Sequence, residues 1–183
     1  MNEPIPTCPD TDDAIMRRVA RNDTGAFACL VRRHQGMITG FAARMFDGDL
    51  DAGADVAQET FVRLWENRAR YAAHGKLTSY LLRIAHNLCA SRLRSPAFKA
   101  EPLDAAKDTA KTAPPMDVAL AVRQALRRLP EEQRVVFLLS EYSGLTYTEI
   151  AQTLSIAPGT VASRKHVAVQ ALRVSLADWA GGE

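Results

Sequence analysis

Residues 146–173, TYTEIAQTLSIAPGTVASRKHVAVQALR, decide the fold of the C-terminal part of the chain. Two helices joined by a tight turn are predicted here. Thr146 or Thr148 can cap the first helix through its hydroxyl. The apolar side chains of that helix recur at helical spacing: Ile150, Ala151 and Leu154. Pro158 suits the first turn of a helix and is disfavoured further in, so a second helix is predicted to begin there.

The second of these helices separates an apolar side from a polar and basic side. Val161, Ala168 and Leu172 recur at helical spacing and are expected to face inward. The residues left facing outward are Thr160, Ser163, Arg164, His166 and Val167. Such a pair of helices is the helix-turn-helix pattern, whose second helix enters the major groove of DNA. The alternative is an ordinary pair of antiparallel helices at the end of a bundle, because helix-turn-helix patterns are loose.

The composition indicates a folded protein with little net charge. Of 183 residues, 47% are hydrophobic and 24% are charged, and the formal net charge is +2. A nucleic-acid surface would therefore depend on local segregation of charge. The sequence contains no apolar run long enough to span a bilayer and no basic-then-apolar leader, so a cytoplasmic protein without membrane insertion is expected.

The cysteines give no pattern of a metal site. Cys8, Cys29 and Cys89 are odd in number and not closely paired. Cys29 and Cys89 are interpreted as small apolar side chains on helices, and Cys8 as a residue of the N-terminal tail. Zinc is the alternative, because His34 and His86 are near two of these cysteines in sequence. No C-x-x-C or H-x-x-x-H spacing supports zinc, so no metal or cofactor is expected.

The N-terminal part is predicted to contain two helices after a flexible tail at residues 1–10. The first helix is expected to open at Asp12 and to end at Asn22. The second begins near Thr24, and residues 47–53 are predicted to form a loop after it. Its apolar stripe follows spacings of three and four: Phe27, Leu30, Val31, His34, Ile38, Phe41 and Met45.

A third helix is predicted over residues 54–67, with an apolar seam and an acidic face. The seam comprises Ala57, Phe61, Leu64 and Trp65. The acidic face comprises Asp55, Gln58, Glu59, Val62 and Glu66. This face either contacts water, as most charged faces do, or docks on a basic partner. Periodicity alone does not separate the two interpretations.

A fourth helix is predicted over residues 76–94, after a basic loop at residues 68–75, RARYAAHG. At about 100° per residue, spacings of seven, four and seven residues place four side chains nearly on one line along the helix. They are Lys76, Arg83, Asn87 and Arg94. In such a row, the three cations can bind successive phosphates of a nucleic acid, and the Asn87 amide can form hydrogen bonds with a base. A solvated face is the alternative, but the nearby Arg68, Arg70 and Arg92 favour nucleic acid.

Residues 96–116 are rich in proline and alanine and are predicted to be a flexible linker. It divides the chain into units at residues 11–95 and 117–183. In the second unit, helices at 117–128 and 131–141 precede the helix-turn-helix. No strand-like alternation is found, so the predicted fold is all-α, with two small helical domains and a C-terminal helix-turn-helix.

Three separated segments of the chain resemble bacterial extracytoplasmic-function (ECF) sigma factors. They are residues 17–27, then DVAQETFVRLWENRARY (55–71) with KLTSYLLRIAHNLCASRLR (76–94), and LPEEQRVVFLLSEYSGLTYTEIAQTLSIAPGTVASR (129–164). The resemblance covers nearly the whole chain, with a linker where the third domain of larger sigma factors is missing. It implies a protein that binds core RNA polymerase, directs it to promoters and helps to open the duplex.

The resemblance also implies a role for individual residues. The D-x-x-Q-E helix of the family docks on the clamp helices of the largest polymerase subunit, and the matching positions here are Asp55, Gln58 and Glu59, with Val62 beside them. The following loop and helix hold the non-template strand of the −10 element, at Arg68, Arg70, Tyr71, Lys76, Tyr80, Arg83, Asn87 and Arg94. The recognition helix reads the −35 duplex through Thr160, Ser163, Arg164, Lys165 and His166.

The implied partners are core RNA polymerase, through its clamp helices and flap region, promoter DNA, and an anti-sigma factor that masks both units. The chain departs from the family pattern at Leu77 and Tyr80, where Phe and Trp are common. It also departs within the recognition helix, at Ala162, Lys165 and Val167. The −35 preference therefore does not follow from the resemblance.

Two other classes of protein fit parts of the pattern. A regulatory decoy would bind an anti-sigma partner but no DNA, and would need neither the basic row nor the D-x-x-Q-E motif. A self-standing transcription factor would bind duplex DNA as a dimer and without polymerase. The sequence shows no nucleophile–base constellation and no glycine-rich phosphate loop, so an enzyme is not expected.

Overall fold

The computed structural model describes residue 8 and residues 11–71, 75–95 and 116–180. All regular secondary structure in these residues is helical, which confirms the predicted all-α fold. The predicted tail, apart from Cys8, and the predicted linker, apart from Met116, lie outside the described residues.

The first unit contains four helices, α1 (Asp12–Val19), α2 (Thr24–Met45), α3 (Leu50–Glu66) and α4 (Leu77–Arg94). Helix α2 is the centre of this unit, since it contacts α1, α3 and α4. Its predicted start is confirmed, and Asp23 caps it by accepting a hydrogen bond from the Ala26 amide at 2.9 Å. The core of the unit is fully buried and includes Ile15, Leu30, Phe41, Leu64 and Leu81.

Helix α3 begins four residues before the predicted position, so the prediction of a loop up to residue 53 is wrong. Asp49 starts the helix, because its carboxylate accepts hydrogen bonds from the Asp51 and Ala52 amides at 2.9 and 3.0 Å. Gly53 lies inside the helix, where α3 crosses α2 closely. A Cβ at Gly53 would lie 2.6 Å from the Thr39 carbonyl oxygen, so this glycine serves a close approach between helices.

The second unit contains α5 (Met116–Arg128), α6 (Glu131–Phe137), a π-helical segment (Leu138–Tyr142), α7 (Tyr147–Leu154) and α8 (Pro158–Ala180). Helix α8 contacts α5, α6 and α7. The predicted helix at 131–141 is confirmed in position, but its last turn is π-helical. Buried core residues of this unit include Val136, Leu139, Ile150, Val161 and Ala168.

The start of the helix-turn-helix is fixed by a capping box. The Thr146 hydroxyl accepts a hydrogen bond from the Glu149 amide at 3.3 Å, and the Glu149 carboxylate accepts one from the Thr146 amide at 2.9 Å. Thr146 is therefore the cap, and the exposed Thr148 lies inside α7. The turn passes through Ser155 in the left-handed region, and α8 starts at Pro158 as predicted.

The two units are in contact with each other. Helix α4 contacts α7, and α2 contacts both α6 and the π-helical segment. One cluster of buried apolar side chains includes residues of both units. The surfaces of the first unit that face the second unit are thus partly covered in this structure.

The interpretation of Cys8 and Cys29 is corrected by the structure, in which they form a disulfide. Cys8 lies against α2, where Arg33 donates a hydrogen bond to the Cys8 carbonyl oxygen at 2.6 Å. The two cysteines are 21 residues apart in sequence. Cys89 is a free, buried thiol, as predicted, and burial raises its pKa to about 12.

Candidate nucleic-acid interface

The basic row predicted on α4 lies on one exposed side of the helix. Its members Lys76, Arg83, Asn87 and Arg94 are all exposed. The opposite side of α4 is buried in the first unit through Leu77, Leu81, Ala85 and Cys89. Because the apolar stripe fixes the rotation of α4 against the core, the polar row must face outward.

Two tyrosines form an aromatic platform beside the start of this row. The rings of Tyr71 and Tyr80 have centroids 5.2 Å apart at an interplanar angle of 61°. The Arg83 guanidinium carbon lies 5.4 Å from the Tyr80 ring centroid. Burial, reinforced by Asp13, raises the pKa of Tyr71 to about 12, so its phenol is neutral at physiological pH. Aromatic faces next to a cation suit stacking of single-stranded bases.

The platform opens into a cleft of about 310 Å³ between the two units. Five residues predicted to bind the −10 element line this cleft: Arg70, Tyr71, Lys76, Tyr80 and Arg83. The second unit contributes Gln152 and Thr153 of α7, and Lys76 Nζ donates a hydrogen bond to Gln152 Oε1 at 3.1 Å. Sequence reasoning missed both α7 residues, because no local signal connects positions so far apart in the chain.

Arg68 lies away from the cleft and has other partners. Its guanidinium donates to Asn22 Oδ1 at 2.6 and 2.9 Å and to the Trp65 carbonyl oxygen at 2.6 Å. The guanidinium carbon also lies 4.3 Å from the Trp65 ring centroid. Gly75, at the other end of the loop, donates its amide to Asp13 at 2.9 Å. The described ends of the loop are thus held by α1 and by the turn that follows it.

The acidic face predicted on α3 is open to solvent. Asp55 and Gln58 are exposed, and Val62 is 43% exposed. Glu59 is half-buried and accepts a hydrogen bond from Arg63 at 2.9 Å, one turn further along the helix. The opposite side of α3 is buried through Val56, Thr60, Phe61 and Leu64. This face therefore offers acid, amide and aliphatic groups to a partner.

The outward residues of α8 divide into two sets. Ser163 and His166 are exposed, and Thr160 is half-buried near the start of the helix. These three side chains share no hydrogen bond with another side chain in the residues described here, so they leave a polar surface on this side of α8.

Arg164 and Lys165 instead contact carboxylates of their own unit. Arg164 is hydrogen-bonded to Glu132, and Lys165 Nζ lies 2.6 Å from Glu141 Oε1. The latter contact lowers the pKa of Glu141 and raises that of Lys165. Lys165 also lies 5.1 Å from the Tyr147 ring centroid. These ion pairs have no local signal in the sequence, because they join separate helices.

The described residues contain neither a metal-binding cluster nor a membrane-spanning helix. Over those residues, no group of three or more His, Cys, Asp or Glu side chains is arranged to hold a metal ion. None of the described helices combines the length and apolar character that a membrane span requires.

Comparison with known proteins identifies the family. Sigma-70 region 2 matches residues 30–97, and sigma-70 region 4 matches residues 119–172. ECF RNA polymerase sigma factor SigK of Mycobacterium tuberculosis is 30% identical over 171 residues, with 88% of this chain and 91% of SigK covered. This chain belongs to the ECF sigma factors. It is likewise 30% identical to the RNA polymerase sigma-H factor of Pseudomonas aeruginosa, over 91% of this chain and 94% of that factor.

Solved structures share the fold of this sigma factor. The structure of CnrH in complex with the cytosolic domain of CnrY matches with a TM-score of 0.68 and 25% identity, over 92% of this chain and 99% of that one. The sigma factor RpoE of Bartonella quintana, solved with the anti-sigma factor NepR, also gives a TM-score of 0.68. Its identity is 22%, over 82% of this chain and 96% of RpoE, so it supports the fold alone.

The family matches fall on the two helical units of this ECF sigma factor. Region 2 takes in α3 and α4, which carry the acidic face and the basic row. Region 4 takes in α7 and most of α8, the helix-turn-helix. The protein is a transcription initiation factor that binds core RNA polymerase, confers promoter recognition and assists promoter opening.

Proposed function

We propose that this sigma factor binds core polymerase, the −10 element and the −35 element through separate surfaces of two domains. Residues 11–95 bind core polymerase and the −10 element, residues 117–183 bind the −35 element, and residues 96–116 connect them. The observation that carries the proposal is the outward row on α4, which leads into the platform of Tyr71 and Tyr80. A DNA strand needs both features, because its phosphates are anionic and its bases stack.

The acidic face of α3 is the proposed docking surface for core polymerase. Asp55 and Gln58 are exposed at its centre, Glu59 is held by Arg63, and Val62 adds an apolar contact. Such a face fits a basic surface with an aliphatic patch. Following the family pattern, that surface is on the clamp helices of the largest polymerase subunit, while the second unit contacts the flap region.

The cleft beside α4 is the proposed site for the melted −10 strand. A base taken out of the duplex loses stacking worth a few kcal/mol. Stacking on an aromatic side chain returns about 1–3 kcal/mol per base, and Tyr80 with Arg83 above its ring offers that contact. Lys76, Asn87 and Arg94 continue along the strand. Arg68 contributes by holding the loop start through Asn22.

The exposed side of α8 is the proposed reader of the −35 duplex. Thr160, Ser163 and His166 lie on its outer side and can contact base edges or phosphates. Arg164 and Lys165 join them when a phosphate replaces the carboxylate that each now contacts. The energetic cost of this exchange is small because the carboxylates of Glu132 and Glu141 are exposed to water.

A protein regulator is the further proposed partner. CnrH, which shares 25% identity and the fold, was solved with the cytosolic domain of CnrY bound. We extend this to an anti-sigma factor that covers both units of the present protein. The proposed location is the cytoplasm, where promoter DNA and polymerase are found, and the proposed role involves no catalysis by the sigma chain itself.

In vitro transcription tests the proposal. Purified core polymerase is mixed with this chain and a library of promoter fragments, and transcripts are mapped to their start sites. The proposal predicts transcripts that require both core polymerase and the chain and that share upstream elements. Transcription that never depends on the chain, or duplex binding by the chain alone with no transcripts, would contradict it.

A further inference from the structure

Two of the three cysteines of the chain are close enough to react with each other. Cys8 and Cys29 form a disulfide, with Cα atoms 6.2 Å apart, and both residues are half-buried. Small oxidants and reductants can therefore reach the two sulfur atoms. Cys89 is fully buried on α4, and burial raises its pKa to about 12, so it stays an unreactive thiol.

An arginine lies beside both sulfur atoms of the pair. Arg32 Nη2 is 3.6 Å from Cys29 Sγ and 3.9 Å from Cys8 Sγ. When the disulfide is reduced, this guanidinium favours the anionic thiolate, which is the nucleophilic form of cysteine. Cysteines that sense oxidants are accessible thiolates, often with a second cysteine near enough to form a disulfide. Cys29, the closer of the two to Arg32, is therefore the expected site of attack, and Cys8 is the resolving cysteine.

The disulfide is connected to the start of α1 through Arg33. The Arg33 guanidinium donates to the Cys8 carbonyl oxygen at 2.6 Å and to Asp12 Oδ1 at 2.7 Å. His34 Nε2 lies 2.9 Å from the other carboxylate oxygen of Asp12. Adjacent side chains of α2 thus hold both Cys8 and the first residue of α1, and the disulfide adds a covalent bond at the same place.

The next residue of α1 holds the loop that precedes α4. Asp13 Oδ2 accepts a hydrogen bond from the Gly75 amide at 2.9 Å, and Gly75 has φ +67°. The same loop begins with Tyr71, whose pKa is raised to about 12 by burial and by the nearby carboxylates of Asp13 and Asp12. A displacement of the start of α1 therefore reaches the loop directly, through the Asp13 carboxylate.

We propose that Cys8 and Cys29 are a reversible oxidation site, and that their disulfide fixes the start of α1 and thereby the loop before α4. The second step rests on the proposed role of this loop in binding the −10 strand. In the cytoplasm, the proposed location, disulfides are usually transient or redox-sensing. Oxidation is expected to strengthen strand binding, because a loop that is already held in place loses less entropy when it binds.

The oxidation balances with a hydroperoxide as the oxidant. The Cys29 thiolate attacks one oxygen of hydrogen peroxide, the O–O bond breaks, and a sulfenic acid and hydroxide form. The Cys8 thiolate then attacks the sulfenic sulfur, the S–S bond forms, and a second hydroxide leaves. Each hydroxide takes up one of the two thiol protons, so two thiols and one peroxide give a disulfide and two waters, with two electrons passing from sulfur to oxygen. A dithiol reverses the reaction by two steps of thiol–disulfide exchange.

Counting of free thiols on the purified full chain tests the first step. The reduced chain is treated with hydrogen peroxide, the peroxide is removed, and free thiols are alkylated in denaturant and assigned to peptides by mass spectrometry. We expect three free thiols before treatment and one, at Cys89, after it. Cys8→Ser should form no disulfide, whereas the control Cys89→Ala should form it as the wild type does.

Arg32→Ala tests the thiolate. Loss of the neighbouring cation should slow the reaction with peroxide by about three- to tenfold, because a smaller fraction of Cys29 is ionised. Arg32→Lys is the control, since it keeps the positive charge and should retain most of the rate. Equal rates for Arg32→Ala and the wild type would contradict the assignment of a reactive thiolate to this pair.

Strand affinity tests the second step. The chain is oxidised or reduced, freed of reagent and then assembled with core polymerase. Fluorescence anisotropy measures binding of a labelled single strand that carries the −10 sequence of a promoter mapped by in vitro transcription. We expect the oxidised holoenzyme to bind about fivefold more tightly than the reduced one, which is at the lower end of couplings between sites. Cys8→Ser should match the reduced wild type after either treatment.

Asp13→Ala tests the connection between the disulfide and the loop. The disulfide should still form in this variant, but oxidised and reduced chains should bind the strand equally, because the Gly75 amide has lost its acceptor. Arg17→Ala, at an exposed position of the same helix, is the control and should keep the fivefold difference.

Three results would overturn the inference. The first is three free thiols after peroxide treatment, and the second is equal strand affinity of the oxidised and reduced wild-type holoenzymes. The third is a redox difference in Asp13→Ala as large as in the wild type. Transcription by the reduced wild-type holoenzyme is measured in parallel. Its absence would count against the proposed function and not against the oxidation site, since the thiol count involves no DNA.

Discussion

The rings of Tyr71 and Tyr80 meet at 61° with centroids 5.2 Å apart, at the point where the loop after α3 joins α4. The two residues come from different elements, and the phenol oxygen of Tyr71 is buried. The Tyr80 ring is thus held against a second ring and lies close to the Arg83 guanidinium. Because the Tyr80 side chain is already held in place, a base can stack on its ring without the entropy cost of ordering that side chain.

Replacing Tyr80 tests this platform. Tyr80→Ala should lower the affinity of the holoenzyme for a single-stranded −10 sequence by about 1–3 kcal/mol, because one base loses its aromatic partner. Tyr80→Phe is the control, since it keeps the ring and removes only the hydroxyl. Equal strand affinity for Tyr80→Ala and wild type, in a binding titration with the assembled holoenzyme, would remove Tyr80 from the site.

The row on α4 is tested by salt dependence. Arg83→Ala should weaken strand binding by the holoenzyme and reduce the slope of log K against log salt by about 0.7, since one phosphate contact to a single strand is lost. Asn87→Ala should weaken binding without changing the slope, because an amide displaces no counterion. Arg17→Ala, at an exposed arginine on α1, is the control and should match wild type. An unchanged slope for Arg83→Ala would show that Arg83 contacts no phosphate.

The capping box predicts a difference between two neighbouring threonines. Thr146→Ala should lower the free energy of unfolding by about 0.5–2 kcal/mol, because the Glu149 amide loses its acceptor. Thr148→Ala changes an exposed position inside α7 and should have a much smaller effect. Urea denaturation of both variants followed by circular dichroism measures the difference. A larger loss for Thr148→Ala would contradict the assignment of the cap.

The buried His34 predicts a pH dependence of stability. Burial lowers the pKa of His34 below its ordinary 6.5, and this effect outweighs the Asp12 carboxylate 2.9 Å away. Below pH 6.5 the unfolded chain binds more protons than the folded one, so stability is lost as pH falls through the folded pKa. Each such histidine contributes up to about 1.4 kcal/mol per pH unit.

His34→Gln should therefore flatten the dependence of unfolding free energy on pH as the pH falls below 6.5, where the histidine of the unfolded chain becomes protonated. A residual slope should remain, because burial also lowers the pKa of His86. Urea unfolding of the variant and the wild type at several pH values in this range measures the two slopes. Identical slopes would mean that His34 titrates alike in the folded and unfolded chains.

Local signals in the sequence predicted much of the fold. The stripe from Phe27 to Met45 predicted α2 and its apolar side, because each turn of that helix carries an apolar side chain. Pro158 predicted the start of α8, since a proline at that position suits a first turn. The exposed row on α4 followed from spacing alone. In each case the interactions that decide the structure are within one or two helical turns.

The features missed by sequence reasoning depend on contacts between distant residues. The position of Gly53 inside α3, against Thr39 of α2, is one of them, because in the sequence this glycine suggested a loop. The disulfide of Cys8 and Cys29, the pairing of Arg164 with Glu132, and the covering of the α4 cleft by α7 all join separate elements. Helical periodicity shows which side of an element is apolar, but not which element covers it.

The central claim is that α3 binds core polymerase, whereas α4 opens the promoter. Comparison of Gln58→Ala with Arg83→Ala tests this claim. Gln58 is exposed on α3, and Gln35→Ala, at an exposed glutamine on α2, is the matched control for it. The measurement is the yield of open promoter complexes as core polymerase is titrated to saturation. We predict that excess core restores opening by Gln58→Ala to the level of Gln35→Ala and does not restore opening by Arg83→Ala. Restoration of both variants, or of neither, would contradict the assignment of the two faces.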